Sequence, residues 1–289
     1  MTIRHLKIFL AVVDSGSMTK AAKNLYITQP SVSQAIMEIE EHYNIKLFER
    51  LSRKLYITET GKEFLSYARH IISLYDDMEQ KMGQNRRTST LHIGASVTVG
   101  TYLLSQLSKE FLKNNKNTQI KAVVDNTSVI EEMVLNSKLD FGLVEGPIHS
   151  EDIVPIAFMK DELITICSPN HPFRKKQSIT IEELSKEELI LRESGSGTRE
   201  LFENTMLSKG QNLNIKWVCN NSEAIKNAVM ADMGISIISK MSVMKEIKEN
   251  KLYTIPIEGI RFKRSFNIIY HKNKYITEAI REFWGICMV

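Results

Sequence analysis

The stretch that most constrains this 289-residue chain is SMTKAAKNLYITQPSVSQAIMEIEEHY, residues 17–43. Ser17 is placed to cap a short helix, and the Ala21-Ala22 pair within it is small enough for another helix to cross closely. Thr28 is placed to cap a second helix, with Pro30 in its first turn, where no N–H is needed. Val32, Ile36, Ile39 and Tyr43 form one apolar stripe along that helix, and Gln29, Ser31, Ser33, Gln34 and Met37 face outward. Upstream, Leu6, Phe9, Leu10 and Val13 recur at helical spacing until Asp14-Ser15-Gly16 stops the helix. A short helix, a tight turn and a second helix with small polar side chains at its start are the layout of a helix-turn-helix, whose second helix enters the DNA major groove. Glutamine pairs bidentately with adenine, and serine reaches bases or phosphates.

After this unit, Leu47 and Phe48, then alternating Leu55 and Ile57, predict a small β-hairpin or wing. Arg50, Arg53 and Lys54 sit at its bend. Such a triplet is usually solvated surface charge; beside a helix-turn-helix it is placed to contact phosphates or the minor groove. The expected DNA contacts are therefore Thr28, Gln29, Pro30, Ser31, Ser33, Gln34, Arg50, Arg53 and Lys54. The net charge of +4 permits nucleic acid without arguing for it, so the local clustering carries this reading.

The run AAKNLYITQPSVSQAIMEIEEHYNIKLFER, followed by ITETG, resembles the DNA-binding segment of LysR-type transcriptional regulators. The Ala-Ala pair, TQPSVS, LFER and Thr-x-x-Gly at the next helix carry the resemblance. It implies a homodimer, often paired into a homotetramer, on inverted-repeat double-stranded DNA, and activation through contact with RNA polymerase.

Thr60 is expected to cap a long linker helix. In it Phe64, Ala68, Ile71, Tyr75, Met78 and Met82 recur at 4-3-4-3-4 spacing, a coiled-coil seam that predicts dimerisation. The plainer alternative is an amphipathic helix packed on its own domain. A two-fold dimer would present two recognition helices to an inverted repeat. Polar GQNRRTSTL, from Gly83, reads as a hinge.

Beyond it, strand-like and helix-like segments alternate in two sets. This predicts an α/β fold with a largely parallel sheet, in two subdomains. The expected division is 1–59 for an all-α winged helix-turn-helix, 60–88 for the linker helix and hinge, and 89–289 for the α/β domain. Within the last, one subdomain covers about 89–161 plus 266–289 and the other 162–265. Polar clusters fall where strands end and helices begin: Ser96 and Thr98, Asn126, Glu145, then Ser194, Ser196 and Thr198 within ESGSGT, and Ser222. Most serines and threonines at such places are simple N-caps, but ESGSGT has more hydroxyls than one cap needs. Helix N-termini with hydroxyls suit a small anion such as sulfate, phosphate or a carboxylate. The loop lacks the GK[ST] ending of a Walker A motif and is not GxGxxG.

The resemblance to LysR-type regulators continues more loosely through GAS…YLL, DFGLVEG, RESGSGTR and SEAIKNAVMADMGISIIS, which are similar to a branch that includes regulators of sulfur assimilation and carbon fixation. It implies a periplasmic-binding-protein-like effector domain. By resemblance Ser96, Thr98, Ser194, Ser196, Thr198 and Ser222 lie where a small-molecule inducer binds. Ser105 stands where the family has a proline after YLL.

Several classes are disfavoured. Cys167, Cys219 and Cys287 are sparse, odd in number and without CxxC spacing, as expected in a reducing cytoplasm. The histidines form no metal motif, so neither a metal nor a cofactor is expected. No apolar run reaches the roughly 18 residues of a membrane span, and the start lacks a signal-peptide cleavage site. The expectation is a ligand-responsive transcriptional regulator without catalytic activity. An enzyme with a DNA-binding appendage would need a nucleophile and a base; only Glu145 and Glu193 offer an acid or base near the loop. An effector-independent DNA binder would leave the polar clusters unexplained.

Overall fold

The computed structural model describes residues 1–51, 54–82 and 89–288. Two compact units follow in sequence, Met1–Arg87 and Thr88–Val289.

The first unit contains helices α1 (Ile3–Ser15), α2 (Met18–Asn24) and α3 (Gln29–Tyr43), strands β1 (Phe48–Leu51) and β2 (Lys54–Ile57), and helix α4 (Glu59–Met82). Ser17 caps α2 by accepting the Lys20 N–H, and Thr28 caps α3 by accepting the Ser31 N–H. Ala21 and Ala22 are buried between the crossing helices, against Phe9, Val12, Val32 and Ile36. The buried Glu40 carboxylate ties α3 to the wing. It accepts the Leu47 N–H at 2.8 Å and pairs with Lys46 at 2.8 Å. Charge-assisted bonds of this kind are among the stronger polar contacts.

Thr58, not Thr60, begins α4: its hydroxyl accepts the Gly61 N–H at 2.9 Å and donates to the Lys46 carbonyl at 2.6 Å. Gly61 is required because a Cβ there would lie 2.3 Å from the Leu47 carbonyl oxygen. The first turns of α4 belong to the helix-turn-helix core rather than to a separate linker. Leu65 and Ala68 are buried in it, and Phe64 packs edge-on against Phe9 at 5.0 Å. Ala68 is thereby committed to the domain's own core, and Phe64, partly buried, packs against that core as well. Tyr75 is engaged by Lys7, whose ammonium lies 5.1 Å from the ring centroid. What remains exposed is an apolar line of Tyr67, Ile71, Leu74, Met78 and Met82.

In the second unit the order is β3 (Ser89–Ser96), α5 (Val97–Val99), a π-turn (Gly100–Leu104), α6 (Ser105–Asn114), β4 (Thr118–Asp125), α7 (Thr127–Leu135), β5 (Phe141–Glu145) and β6 (Ile153–Cys167). Then come α8 (Ile181–Ser185), β7 (Leu189–Arg192), α9 (Gly197–Ser208), β8 (Ile215–Cys219), α10 (Ser222–Met230) and β9 (Ser236–Ser239). The chain ends with α11 (Met244–Lys248), β10 (Tyr253–Ile255), β11 (Phe262–His271) and α12 (Glu278–Cys287).

The main sheet runs β10-β6-β11-β5-β3-β4, with β9 also on β6, and β7-β8 form a second pair. It is mixed, not largely parallel. β3 is parallel to β4 and β5, whereas β6 and β11 pair antiparallel with each other and with their other neighbours. The reason is β6. It spans 15 residues and pairs antiparallel with β9, β10 and β11. β6 and β11 carry the chain out to the second half and back, so they must oppose each other.

Two sets of buried residues stand on either side of these strands. One gathers around Ile93, Phe111, Phe141, Phe283, Ile130 and Val134. The other gathers around Leu189, Phe202, Ile237, Ile190, Ile225 and Ile238. At the crossing point Asp161 on β6 stands in register with Arg264 on β11. Among the described residues no helix is long and apolar enough to cross a membrane, and no cluster of His, Cys, Asp and Glu is arranged to hold a metal.

Candidate DNA interface and effector cleft

The turn between α2 and α3 exposes Tyr26 in a left-handed conformation, φ +54, and delivers Thr28 to the surface. Thr28, Pro30, Ser31 and Gln34 are exposed along α3, while Gln29 and Ser33 are partly so. The Thr28 and Ser31 hydroxyls bond each other at 2.8 Å, and Gln34 donates to Glu38 at 3.0 Å. Gln29 and Arg50 line one concave surface with Ser17, Thr19, Leu55 and Tyr56. Of the sequence-predicted DNA contacts, Gln29 and the wing's Arg50 thus share one face of the first unit. Arg53 lies outside the described residues, as does the side chain of Lys54.

The second unit buries its polar cluster. β3 brings in Ser96, the following turn Thr98, and β5 ends on Glu145; all three are almost fully enclosed. Both hydroxyls donate to the Glu145 carboxylate, Thr98 at 2.9 Å. From the other half, the start of α9 supplies Ser196 and Thr198, also buried. Thr198 accepts from Arg264 Nη1 at 2.9 Å, and Arg264 Nε pairs with Asp161 at 2.7 Å. Arg264 Nη1 also stands 3.9 Å from Glu145. Five predicted residues, Ser96, Thr98, Glu145, Ser196 and Thr198, therefore meet at one place, and Arg264 links the halves there.

The halves approach this closely because of glycine. A Cβ on Gly197 would sit 1.9 Å from the Glu145 carbonyl oxygen, and Gly146, at φ +98, meets the Gly197 backbone in turn. Beside them the Ser128 N–H donates across the cleft to the Gly195 carbonyl at 3.1 Å.

Two atoms in this cluster lack partners. Ser196 Oγ and Arg264 Nη2 are buried and make no hydrogen bond. Ser196 precedes α9 but does not cap it, so the bland capping reading fails at this residue. An unmatched buried donor costs about 1–3 kcal/mol.

The remaining predicted residues make no described hydrogen bond to this group, although Asn126 Oδ1 lies beside Gly195 in the facing loop. Asn126 is spent capping α7 through the Val129 N–H at 3.0 Å. Ser194 is exposed, and Ser222 is buried at the start of α10, where Asn221 makes the cap. Among the described residues no hydrogen bond joins Ser194 or Ser222 to the Glu145–Arg264 group.

Arg264 and Asp161 were missed by sequence reasoning. The signal is strand parity: Phe262, Arg264 and Phe266 alternate on β11, and both phenylalanines are buried. An arginine on an inward position needs a reason. Burial pushes Cys167 up to about 11 and Cys287 up to about 12, far from a reactive thiolate.

Comparison with known proteins agrees with both halves. Residues 3–62 match the bacterial regulatory helix-turn-helix protein family, lysR type, and residues 84–288 match the LysR substrate binding domain. The HTH-type transcriptional activator CmpR of Synechocystis sp. strain PCC 6803 is 32% identical over 284 residues, covering 98% of this chain and 93% of its own. The RuBisCO operon transcriptional regulator of Allochromatium vinosum is 29% identical, covering 98% and 94%. A full-length OxyR variant from Pseudomonas aeruginosa superimposes with a TM-score of 0.76 at 18% identity, over 100% of this chain and 95% of that one, a likeness of fold. The Synechocystis PCC6803 CcmR regulatory domain, solved with 2-PG, matches with a TM-score of 0.65 at 26% identity, over 69% of this chain and 96% of that one. With its helix-turn-helix and its effector domain both matched, and relatives in the carbon-fixation branch, the chain belongs to the LysR family of transcriptional regulators.

Proposed function

We propose that this regulator binds an inverted-repeat promoter site as a dimer or a tetramer and is switched by a small anionic metabolite held between Ser196 and Arg264. The observation that carries the effector reading is the pair of unpartnered buried donors, Ser196 Oγ and Arg264 Nη2. A small anion accepting from these donors would match buried groups that nothing in the described protein satisfies, at the place where Arg264 links Thr198 to Asp161. Such a ligand favours the closed arrangement, and only a difference in affinity between arrangements moves the equilibrium. The CcmR regulatory domain with 2-PG supports a small organic acid as the class.

On the DNA side, Gln29 and its neighbours read bases and Arg50, Arg53 and Lys54 hold the backbone. The α4 line of Tyr67, Ile71, Leu74, Met78 and Met82 is the seam for a second copy. Contact with RNA polymerase, and work in the cytoplasm, follow from the family reading.

The test is thermal melting of the full chain against sulfate, thiosulfate, phosphate and a set of organic acids, with Ser196→Ala in parallel. Ser196 Oγ makes no internal bond, so the variant loses no contact and, relieved of an unmatched buried hydroxyl, should melt at or above the parent's Tm. One anion should raise the parent's Tm saturably and leave the variant unmoved. Equal shifts in both would take Ser196 out of the site, and turnover of a panel compound by the purified protein would replace the regulator reading with an enzymatic one.

A further inference from the structure

The cleft has a second crossing, at its rim, with no role in the function so far described. His149 lies in the loop between β5 and β6, on the first half of the domain. Its Nε2 lies 2.8 Å from a Glu200 oxygen on α9, in the second half, and its Nδ1 lies 3.5 Å from Glu131 on α7, in the first. Glu131 is buried and also accepts the backbone N–H groups of His149 and Ser150, each at 2.9 Å. The loop is thereby anchored to its own half, and the imidazole reaches over to the other.

An ionised carboxylate only accepts hydrogen bonds, while neutral imidazole has a single N–H. Carboxylates facing both ring nitrogens favour the imidazolium, which alone can donate to each of them. From these contacts we infer that closure of the effector cleft takes up a proton at His149, so that effector binding is coupled to pH; this rests on reading the cleft as the effector site.

The surrounding charges agree with this. Glu200 and Glu131 both face the ring, and the Glu200 bond is the largest cause that raises the His149 pKa above its usual 6.5. The nearby cation Arg199 is turned away, to Glu203 at 2.7 Å and to the Arg192 carbonyl. Asp152, three residues along, pairs with Lys272 at 2.6 Å. Opening the cleft removes Glu200 but leaves Glu131, so the ring's proton affinity is higher closed than open. The sign follows. The latch is fully present below the open-state pKa and is lost as pH rises through the raised closed-state value.

Ser128 provides the readout, since its N–H bonds Gly195 across the cleft away from the latch. Single-residue hydrogen exchange of the Ser128 amide would be followed in the full chain from pH 6 to pH 8, corrected for intrinsic exchange. Protection should fall by about threefold to tenfold across this range, tenfold corresponding to one pKa unit between the two states. His149→Gln and Glu200→Gln should each flatten that dependence. A variant slope equal to that of the parent would overturn the latch. If no anion binds in the melting panel yet protection still follows pH, the effector reading fails and proton coupling stands. If an anion binds while protection ignores pH, the latch alone fails.

Discussion

The two polar rows of this protein use the same side chains to opposite ends. On α3, Thr28, Ser31 and Gln34 are exposed along a helix face. In the effector domain, Ser96, Thr98, Ser196 and Thr198 are at most 3% exposed. An exposed hydroxyl is already solvated and loses little by waiting for a large partner such as a DNA groove. A buried one must be matched from within or by a ligand small enough to enter. Burial, not residue type, separates a surface for a macromolecule from a site for a metabolite.

The change expected to disturb this contrast most is Gly197→Ala. Its Cβ would collide with the Glu145 carbonyl, so the buried row cannot assemble as observed. A stability loss of at least about 3 kcal/mol, the upper end for overpacking, should be seen in denaturant melts, with loss of Ser128 protection. An unchanged melt would mean that the halves do not need this close approach.

A paired change sharpens the contrast on α4. Ala68→Asp buries a charge in the helix-turn-helix core and should unfold that unit, visible by near-UV circular dichroism. Ile71→Asp, one turn along on the exposed line, should leave the fold intact and dissociate the proposed dimer in light scattering. A stable dimer would remove this line from the seam.

Smallest in stability, though not in function, are the surface changes. Gln29→Ala should weaken specific binding by about 1–3 kcal/mol with non-specific binding almost unaltered. Arg50→Ala should weaken binding to every sequence and lower the salt slope by about one. Both variants should melt like the parent. An equal loss on random DNA would make Gln29 a backbone contact.

Much of the first unit was legible in the sequence because its contacts are local. The caps at Ser17 and Thr28 and the stripe Val32-Ile36-Ile39 lie within one or two turns of each other, and the periodicity records them directly. Legibility failed on α4. Periodicity marks that a face is apolar but not what covers it, so the expected seam includes Ala68, which is buried in the domain's own core, and Phe64, which packs on Phe9. The Thr58 cap was hidden for the same reason, as its hydroxyl answers to the Lys46 carbonyl 12 residues away. In the cleft, strand ends and helix starts located five of the eight expected residues at one place.

By itself the sequence determined the two-part plan, the helix-turn-helix and the hydroxyl-rich helix starts, since each depends on neighbours a few residues apart. Only the tertiary structure decided that β6 and β11 make the sheet mixed, that Arg264 joins Thr198 to Asp161, and that His149 reaches Glu200. The side-chain pairings among these bring together residues 51 to 103 positions apart. No local pattern encodes such a meeting, because it exists only once two separately packed cores have set their surfaces against each other.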